Sequence, residues 1–197
     1  MKTKHCVFVL DQTGSMFEKK KDTIGGFNEF LEKQKKIKKY DIKFSLILFN
    51  SAEVEKRYVA VDISKVKPLN DKNYVPAQIT PLWDAIGTAI SENEKKKDVF
   101  FVILTDGEEN ASREFTSEKV KEMIKKKDKA GWGFLYLGVD VKDFYASSGS
   151  FSQTGIRASS SSTFPTASLA GNVGIGLSNA ASNYYVTGKV KFKGKKK

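Results

Sequence analysis

Residues 6–15 read CVFVLDQTGS, an apolar run that ends in a short polar loop. This pattern predicts a buried strand that opens into a loop. The hydroxyls of Thr13 and Ser15 are spaced to turn the same way as the Asp11 carboxylate, and Gly14 lets the backbone bend between them. Three such oxygen atoms suit a hard cation such as Mg2+ or Mn2+ and do not suit zinc. The same residue types also form plain strand-to-helix turns, so the loop alone leaves both interpretations open.

Two later stretches favour the cation site. A second apolar run, 99–104, ends in Thr105-Asp106-Gly107, and residues 79–86 read ITPLWDAI, in which Thr80 precedes a proline that can open a helix. Ligands of open α/β sheets gather at the carboxyl ends of the strands. We therefore expect one edge of the sheet to bring together Asp11, Thr13, Ser15, Thr80 and Asp106.

With these three motifs in this order, the sequence resembles a von Willebrand factor A (vWA) domain, over roughly residues 5–140. The resemblance implies a metal-ion-dependent adhesion site that holds one Mg2+ or Mn2+. Thr13 stands where the commonest family pattern has a serine, which keeps the hydroxyl and adds a methyl group. The implied metal ligands are Thr13 and Ser15 directly, with Asp11, Thr80 and Asp106 direct or through water.

The alternation of buried strands and amphipathic helices predicts an α/β, Rossmann-like, doubly wound fold. We expect a mainly parallel six-stranded sheet in the order 3-2-1-4-5-6, with strand 1 central and one antiparallel edge strand. Strands are predicted at 5–11, 42–49, 54–63, 99–104 and 133–139, with a short last strand at Ile156. Helices are predicted at 17–40, 82–95, 116–129 and 166–185. Residues 1–187 are predicted to form a single domain that includes a Ser-rich irregular segment at 147–165, followed by a basic tail at 188–197.

Composition narrows the class of protein. The chain has 197 residues, 40% of them hydrophobic and 29% charged, which fits one globular domain. No apolar stretch approaches the roughly 18 residues that a membrane span needs, and the run before Asp11 is too short for a secretory signal, so a cytoplasmic location is expected. The single cysteine excludes an internal disulfide, and the single histidine excludes a usual Cys/His zinc site.

Catalysis is not expected from this sequence. His5 begins the first strand and Asp11 ends it, which separates them by about 20 Å at ~3.3 Å per residue. His5 therefore cannot serve as a base at the loop, and no positioned nucleophile accompanies it. Asp84 is expected to support the site or the helix dipole rather than bind the metal. We expect Glu108 and Glu109 to lie in a solvated loop and Asp140 to be structural.

The basic charge is concentrated at the C-terminus. The net charge is +11, and it falls to +5 without the six lysines of residues 188–197. We expect this tail to speed association with acidic partners and to contribute little to stability. The alternative is that Val190 and Phe192 pair as a guarded edge strand.

The leading functional prediction is a non-catalytic protein-binding module whose divalent metal accepts an Asp or Glu side chain of a partner. The resemblance to small stand-alone bacterial and phage members of the family implies AAA-type ATPases or stress-response proteins as partners. Two alternatives remain. A Mg2+-dependent phosphoryl-transfer or hydrolase-like enzyme is disfavoured because Thr13 occupies the position of its second aspartate and no phosphate-binding loop is present. Non-specific nucleic-acid contact through lysines is the other, without specific recognition.

Overall fold

The computed structural model describes residues 1–106, 109–139, 161–164 and 174–191. The strands are β1 (Lys2–Asp11), β2 (Tyr40–Phe49), β3 (Val54–Asp62), β4 (Val99–Thr105), β5 (Gly133–Val139) and β6 (Ser161–Phe164). The α-helices are α1 (Lys20–Lys35), α2 (Leu82–Glu92), α3 (Ser117–Lys129) and α4 (Gly174–Thr187), and two short 3-10 helices span Gly14–Met16 and Ile63–Lys65.

The strands form one sheet in the order β3-β2-β1-β4-β5-β6. β1 pairs in parallel with β2 and with β4, and β4 pairs in parallel with β5. β3 runs antiparallel to β2 at one edge, and the four-residue β6 runs parallel to β5. The structure therefore confirms the α/β architecture with a mixed, mostly parallel sheet, in which β1 is an interior strand.

Helices cover both faces of the sheet, which explains why β1 and β4 read as continuous apolar runs. On one face, the Phe8 ring lies 5.4 Å from Phe27 and 5.7 Å from Phe30 of α1, measured between centroids. The same face packs Tyr184 of α4 against Phe100 of β4, with ring centroids 5.8 Å apart. Burial of each of these side chains contributes about 1.5–3 kcal/mol to the stability of the fold. The central strands are therefore rigid and hold the loops at their ends in place.

The opposite face is covered by α2 and α3. Val7 and Val9 of β1 and Phe101 of β4 are buried there, in a cluster with Ile86 of α2 and Ile124 of α3. Successive residues of β1 thus enter different clusters, because side chains alternate across a strand. The N-terminus of α3 is capped, since the Thr116 hydroxyl accepts the backbone N–H of Lys119.

Several predicted boundaries differ from the structure. The first helix is shorter than predicted, because α1 begins at Lys20 rather than at residue 17 and ends at Lys35 rather than at residue 40. α2 ends at Glu92, three residues early, and Pro81 lies just before its first turn instead of inside it. Of the predicted Ser-rich segment 147–165, only 161–164 is described, as β6. The remainder of that segment, residues 165–173 of the last predicted helix, Asp140 and residues 192–197 lie outside the described residues.

Candidate functional site

Asp11 lies at the carboxyl end of β1, next to the end of β4. Leu10 pairs with Leu104 in parallel register, so the residues that follow the two strands leave the sheet side by side. The Asp11 side chain is fully buried. Its Oδ1 accepts the backbone N–H of Thr13 at 2.8 Å, and its Oδ2 accepts the Thr105 hydroxyl at 2.5 Å. Both carboxylate oxygens are therefore fixed by donors on the two strand ends.

Burial has a strong electrostatic effect on this carboxyl. Loss of solvation raises the pKa of Asp11 from 3.8 to about 6, against the lowering effect of the hydrogen bonds from Thr105 and Thr13. The charge of Asp106 raises this pKa further. A cation at this edge would favour the ionised form of Asp11, because opposite charge offsets the desolvation of a carboxylate.

Thr13, Ser15 and Asp106 form a connected set of oxygen atoms beside Asp11. The Thr13 and Ser15 hydroxyl oxygens are 3.2 Å apart, and the Ser15 hydroxyl donates to Asp106 Oδ1 at 2.7 Å. This contact joins the loop after β1 to the end of β4. Four of the five predicted ligands are thus linked to one another directly or through the Asp11–Thr13 turn.

A lysine that the sequence did not single out also belongs to this cluster. Lys19 Nζ lies 2.6 Å from Asp106 Oδ2 and 3.2 Å from the Ser15 carbonyl oxygen. The side chains of Lys19 and Asp106 are only 17% and 2% exposed. Lys19 and Asp106 therefore form a largely buried ion pair, which is joined by a short, charge-assisted hydrogen bond.

Thr80, the fifth predicted ligand, is brought to this edge by backbone contacts. Gly14 N–H donates to the Gln78 carbonyl at 2.9 Å, two residues before Thr80. Thr80 itself is buried, and its N–H donates to the Asn110 side-chain oxygen at 2.8 Å. Asn110 N–H in turn donates to the Thr80 carbonyl at 3.1 Å. The segment is therefore fixed to the loops after β1 and β4, whereas the Thr80 hydroxyl has no direct bond to the other four predicted ligands in the part of the chain that is described.

The carboxylates of Glu109 and Asp84 hold the loop after β4 in place through hydrogen bonds. The Glu109 carboxylate accepts the N–H of Trp83 at 3.0 Å and both the N–H and hydroxyl of Ser112 at 2.7 Å. The prediction that Glu109 is solvated is therefore wrong, because its oxygens cap the start of α2 and bind its own loop. Asp84 accepts the three backbone N–H groups of residues 113–115 at 2.8–2.9 Å, which makes it the anchor of this loop. Glu108 lies outside the described residues.

Tyr74 holds the start of the loop after β1 through a buried hydrogen bond. The side chain is fully buried, and its hydroxyl donates to the Asp11 carbonyl oxygen at 2.6 Å. Burial raises the pKa of Tyr74 well above its usual value, so the phenol remains a donor. Ala77 N–H adds a bond to the Gln12 carbonyl at 3.0 Å. Residues 66–81, which connect the second 3-10 helix to α2, therefore fix the backbone of the loop after Asp11.

The donor set fits a hard divalent cation. Two carboxylates and two hydroxyls converge without sulfur or nitrogen ligands, which is the chemistry that Mg2+ and Mn2+ prefer. Within the described ranges, no cluster of three or more His, Cys, Asp or Glu residues suits a metal. The only histidine in the sequence pairs with Val99, at the opposite end of the β1–β4 ladder from Asp11, so His5 supplies neither a ligand nor a base here.

Two participants were missed at the level of sequence. Thr105 was quoted only as part of a motif, although its position directly before Asp106 at a strand end was a signal that its hydroxyl faces the same edge. Lys19 gave no distinguishing signal, because it is the first of three consecutive lysines that read as a solvated helix face.

The doubly wound α/β fold of this chain is similar to that of solved structures at low sequence identity. The vWF domain of the type V pili tip protein Mfa5 from Porphyromonas gingivalis has a TM-score of 0.72 at 12% identity, over 100% of this chain and 98% of that chain. A von Willebrand factor type A structure from Catenulispora acidiphila has a TM-score of 0.57 at 11% identity, over 91% of this chain and 43% of that chain. The pilus adhesin SpaC from Lactobacillus rhamnosus GG has a TM-score of 0.62 at 14% identity, over 94% and 31%.

The protein therefore has the von Willebrand factor A fold, as its three sequence motifs predicted. No protein-family model matches the sequence, and no curated protein matches it either. Among the described helices, none combines the length and the apolar character that a bilayer crossing needs.

Proposed function

We propose that this protein is a non-catalytic protein-binding module whose Mg2+ or Mn2+ accepts an acidic side chain of a partner. The ligands in this proposal are Asp11, Thr13, Ser15 and Asp106, with Thr80 acting directly or through water. When bound, the cation supplies Lewis acidity that attracts an oxygen ligand from outside. The vWA fold itself suggests a protein-interaction module, and the metal dependence is our addition.

One observation carries the proposal, namely the contact of the Ser15 hydroxyl with Asp106 Oδ1 at 2.7 Å. It brings the first loop and the end of β4 within ligand distance of a common point, across 91 residues of sequence. Thr13 N–H and the Thr105 hydroxyl hold the Asp11 carboxylate in a fixed orientation behind this point. Such fixed second contacts orient metal ligands and reduce the entropy lost on binding.

The surface around the site also suits a protein partner. Phe17, Val75 and Ile79 are exposed by 67%, 52% and 54%. Phe17 lies in the turn after the loop of Asp11, and Val75 and Ile79 lie in the connection before α2, which is hydrogen-bonded to that loop. Phe17 N–H is bonded to the Gly14 carbonyl, and Ile79 follows Gln78, which binds Gly14. Exposed apolar groups beside a polar centre are typical of a contact surface.

The named neighbours support this class of function by analogy. Mfa5 is a type V pili tip protein and SpaC is a pilus adhesin, and both carry the fold seen here. This chain covers 31% of SpaC, so the analogy concerns the domain and not the activity of a whole adhesin. AAA-type ATPases and stress-response proteins remain proposed partners on the family resemblance alone.

The proposal is tested by calorimetric titration of Mg2+ and Mn2+ into the protein and into Ser15→Ala. Loss of one direct ligand is expected to weaken metal affinity at least tenfold, since even indirect contacts contribute about 10–100-fold. Ser64→Ala is the matched control, because its hydroxyl binds Asp62 on an exposed turn after β3. Equal metal affinity for the protein and Ser15→Ala would contradict the assigned site.

The partner step needs its own experiment. A candidate partner should bind in Mg2+ and dissociate in EDTA, and it should lose binding when its acidic side chain is replaced by the amide. Binding that is unaffected by EDTA would remove the metal from the mechanism. Steady, Mg2+-dependent turnover of phosphorylated substrates would instead favour the enzyme alternative.

A further inference from the structure

The ammonium group of Lys19 lies directly against the proposed metal site. The Lys19 ammonium contacts Asp106 Oδ2 at 2.6 Å, while the other oxygen of this carboxylate accepts the Ser15 hydroxyl. The same ammonium also contacts the Ser15 carbonyl oxygen. A positive charge thus already lies against two of the residues that the proposed function assigns to the metal.

We propose that Lys19 and a divalent cation compete for Asp106, so that Lys19 sets the metal affinity of the site. The inference rests on the proposed function, because it concerns the same ligands. Direct binding of the metal through Oδ2 requires that the ammonium leave this oxygen. Binding through Oδ1 or through water still places two cations next to one carboxylate, where their charges repel.

The burial of the pair makes the competition strong. The Asp106 side chain is 2% exposed, so little water screens the interaction or replaces either cation. A hydrogen bond between charged groups of this kind changes an equilibrium constant by about 10–100-fold. A metal that binds Asp106 must therefore replace the hydrogen bond between Lys19 and Asp106, which lowers its net affinity for the site.

The position of Lys19 in the chain lets it leave without disturbing the fold. It immediately precedes the first residue of α1, and its side chain does not cap the helix. The flexible four-carbon stem can carry the charge out to solvent, as lysine side chains do at partly buried positions. Without metal, the ammonium neutralises a carboxylate that would otherwise be buried and unpaired.

The test compares Mn2+ affinity, by calorimetry, among the unaltered protein, Lys19→Met, Lys19→Arg and Lys20→Met. Lys19→Met keeps most of the stem and removes the charge, so Mn2+ should bind about 10–100-fold more tightly. Lys19→Arg retains the charge and should stay within about threefold of the unaltered protein. Lys20→Met is the matched control, because the neighbouring Lys20 pairs with Asp71 at 3.6 Å instead of with the site.

A second measurement uses the unaltered protein and does not depend on the folding of any variant. Labelling of lysine amines with acetic anhydride, read by mass spectrometry, should increase severalfold at Lys19 when saturating Mg2+ replaces EDTA. Labelling of Lys20 should not change. Labelling of Lys19 that is the same in Mg2+ and in EDTA would overturn the inference.

The outcomes separate this inference from the proposed function. If the unaltered protein binds Mn2+ and Lys19→Met binds it no more tightly, the competition is wrong and the metal site stands. If only Lys19→Met binds the metal, the competition is supported and metal dependence of the natural chain is wrong. If no variant binds the metal, both proposals are wrong.

Discussion

Replacement of Asp11 by Asn should stabilise the metal-free protein, although it removes a metal ligand. Burial raises the pKa of this carboxyl from 3.8 to about 6. Two units at about 1.4 kcal/mol each mean that ionised Asp11 costs the fold about 3 kcal/mol at neutral pH. Asn keeps the shape and removes the charge, and reversal of the Thr105 hydrogen bond offsets part of the gain. We expect a net stabilisation of about 1–3 kcal/mol.

The pH dependence of this gain has a definite sign. A raised carboxyl pKa means that the natural protein has its full stability below pH 3.8 and loses it as the pH rises through 6. The advantage of Asp11→Asn should therefore be greatest at pH 8 and about 2 kcal/mol smaller at pH 4.5, where ionisation of Asp11 costs only about one third as much. Urea unfolding in EDTA at both values measures it, since the midpoint and slope give the free energy of unfolding.

Metal should offset most or all of the stability advantage of Asp11→Asn. Mg2+ at 100 times its dissociation constant stabilises the natural protein by about 2.7 kcal/mol and should not stabilise Asp11→Asn. Asp71→Asn is the control, because Asp71 is 87% exposed and its change should stay within about 0.5 kcal/mol. The burial argument is refuted if Asp11→Asn is no more stable than the natural protein at pH 8 in EDTA.

Three further predictions concern the surroundings of the site. Thr105→Val removes the donor to Asp11 and should weaken Mg2+ affinity about tenfold by calorimetry, with unchanged affinity as the contradicting result. Gly87→Ala places a methyl group against the Phe115 ring and should destabilise the protein by about 1–3 kcal/mol in urea unfolding, unless the ring moves freely. Deletion of residues 188–197 should lower the melting temperature, because Val190 packs against the core and Lys189 accepts a hydrogen bond from Asn183. An unchanged melting temperature would instead support the prediction of a separate tail.

The sequence was informative where a local pattern carries the physical cause. Apolar runs that end in acids predicted β1 and β4, and the parallel pairing of strands placed Asp11 and Asp106 at one edge. The DxTGS spacing predicted that the Thr13 and Ser15 hydroxyls turn the same way as the Asp11 carboxylate. In the structure these two hydroxyl oxygens lie 3.2 Å apart, and Asp11 accepts the backbone N–H of Thr13. The strands and the loop could be predicted because they depend on residues that are adjacent in the sequence and on the carboxyl ends of parallel strands lying at the same edge of the sheet.

Only the tertiary structure decided which distant groups meet. Lys19 and Asp106 are 87 residues apart, and nothing local distinguishes Lys19 from the lysines that follow it and remain on the surface of α1. Glu109 reads as a solvated acid, yet its carboxylate accepts the N–H of Trp83 in the distant helix α2 in addition to three donors from its own loop. The physical reason is that residue type fixes the charge and hydrogen-bonding capacity of a side chain, whereas its partner depends on how separate segments pack in the folded chain.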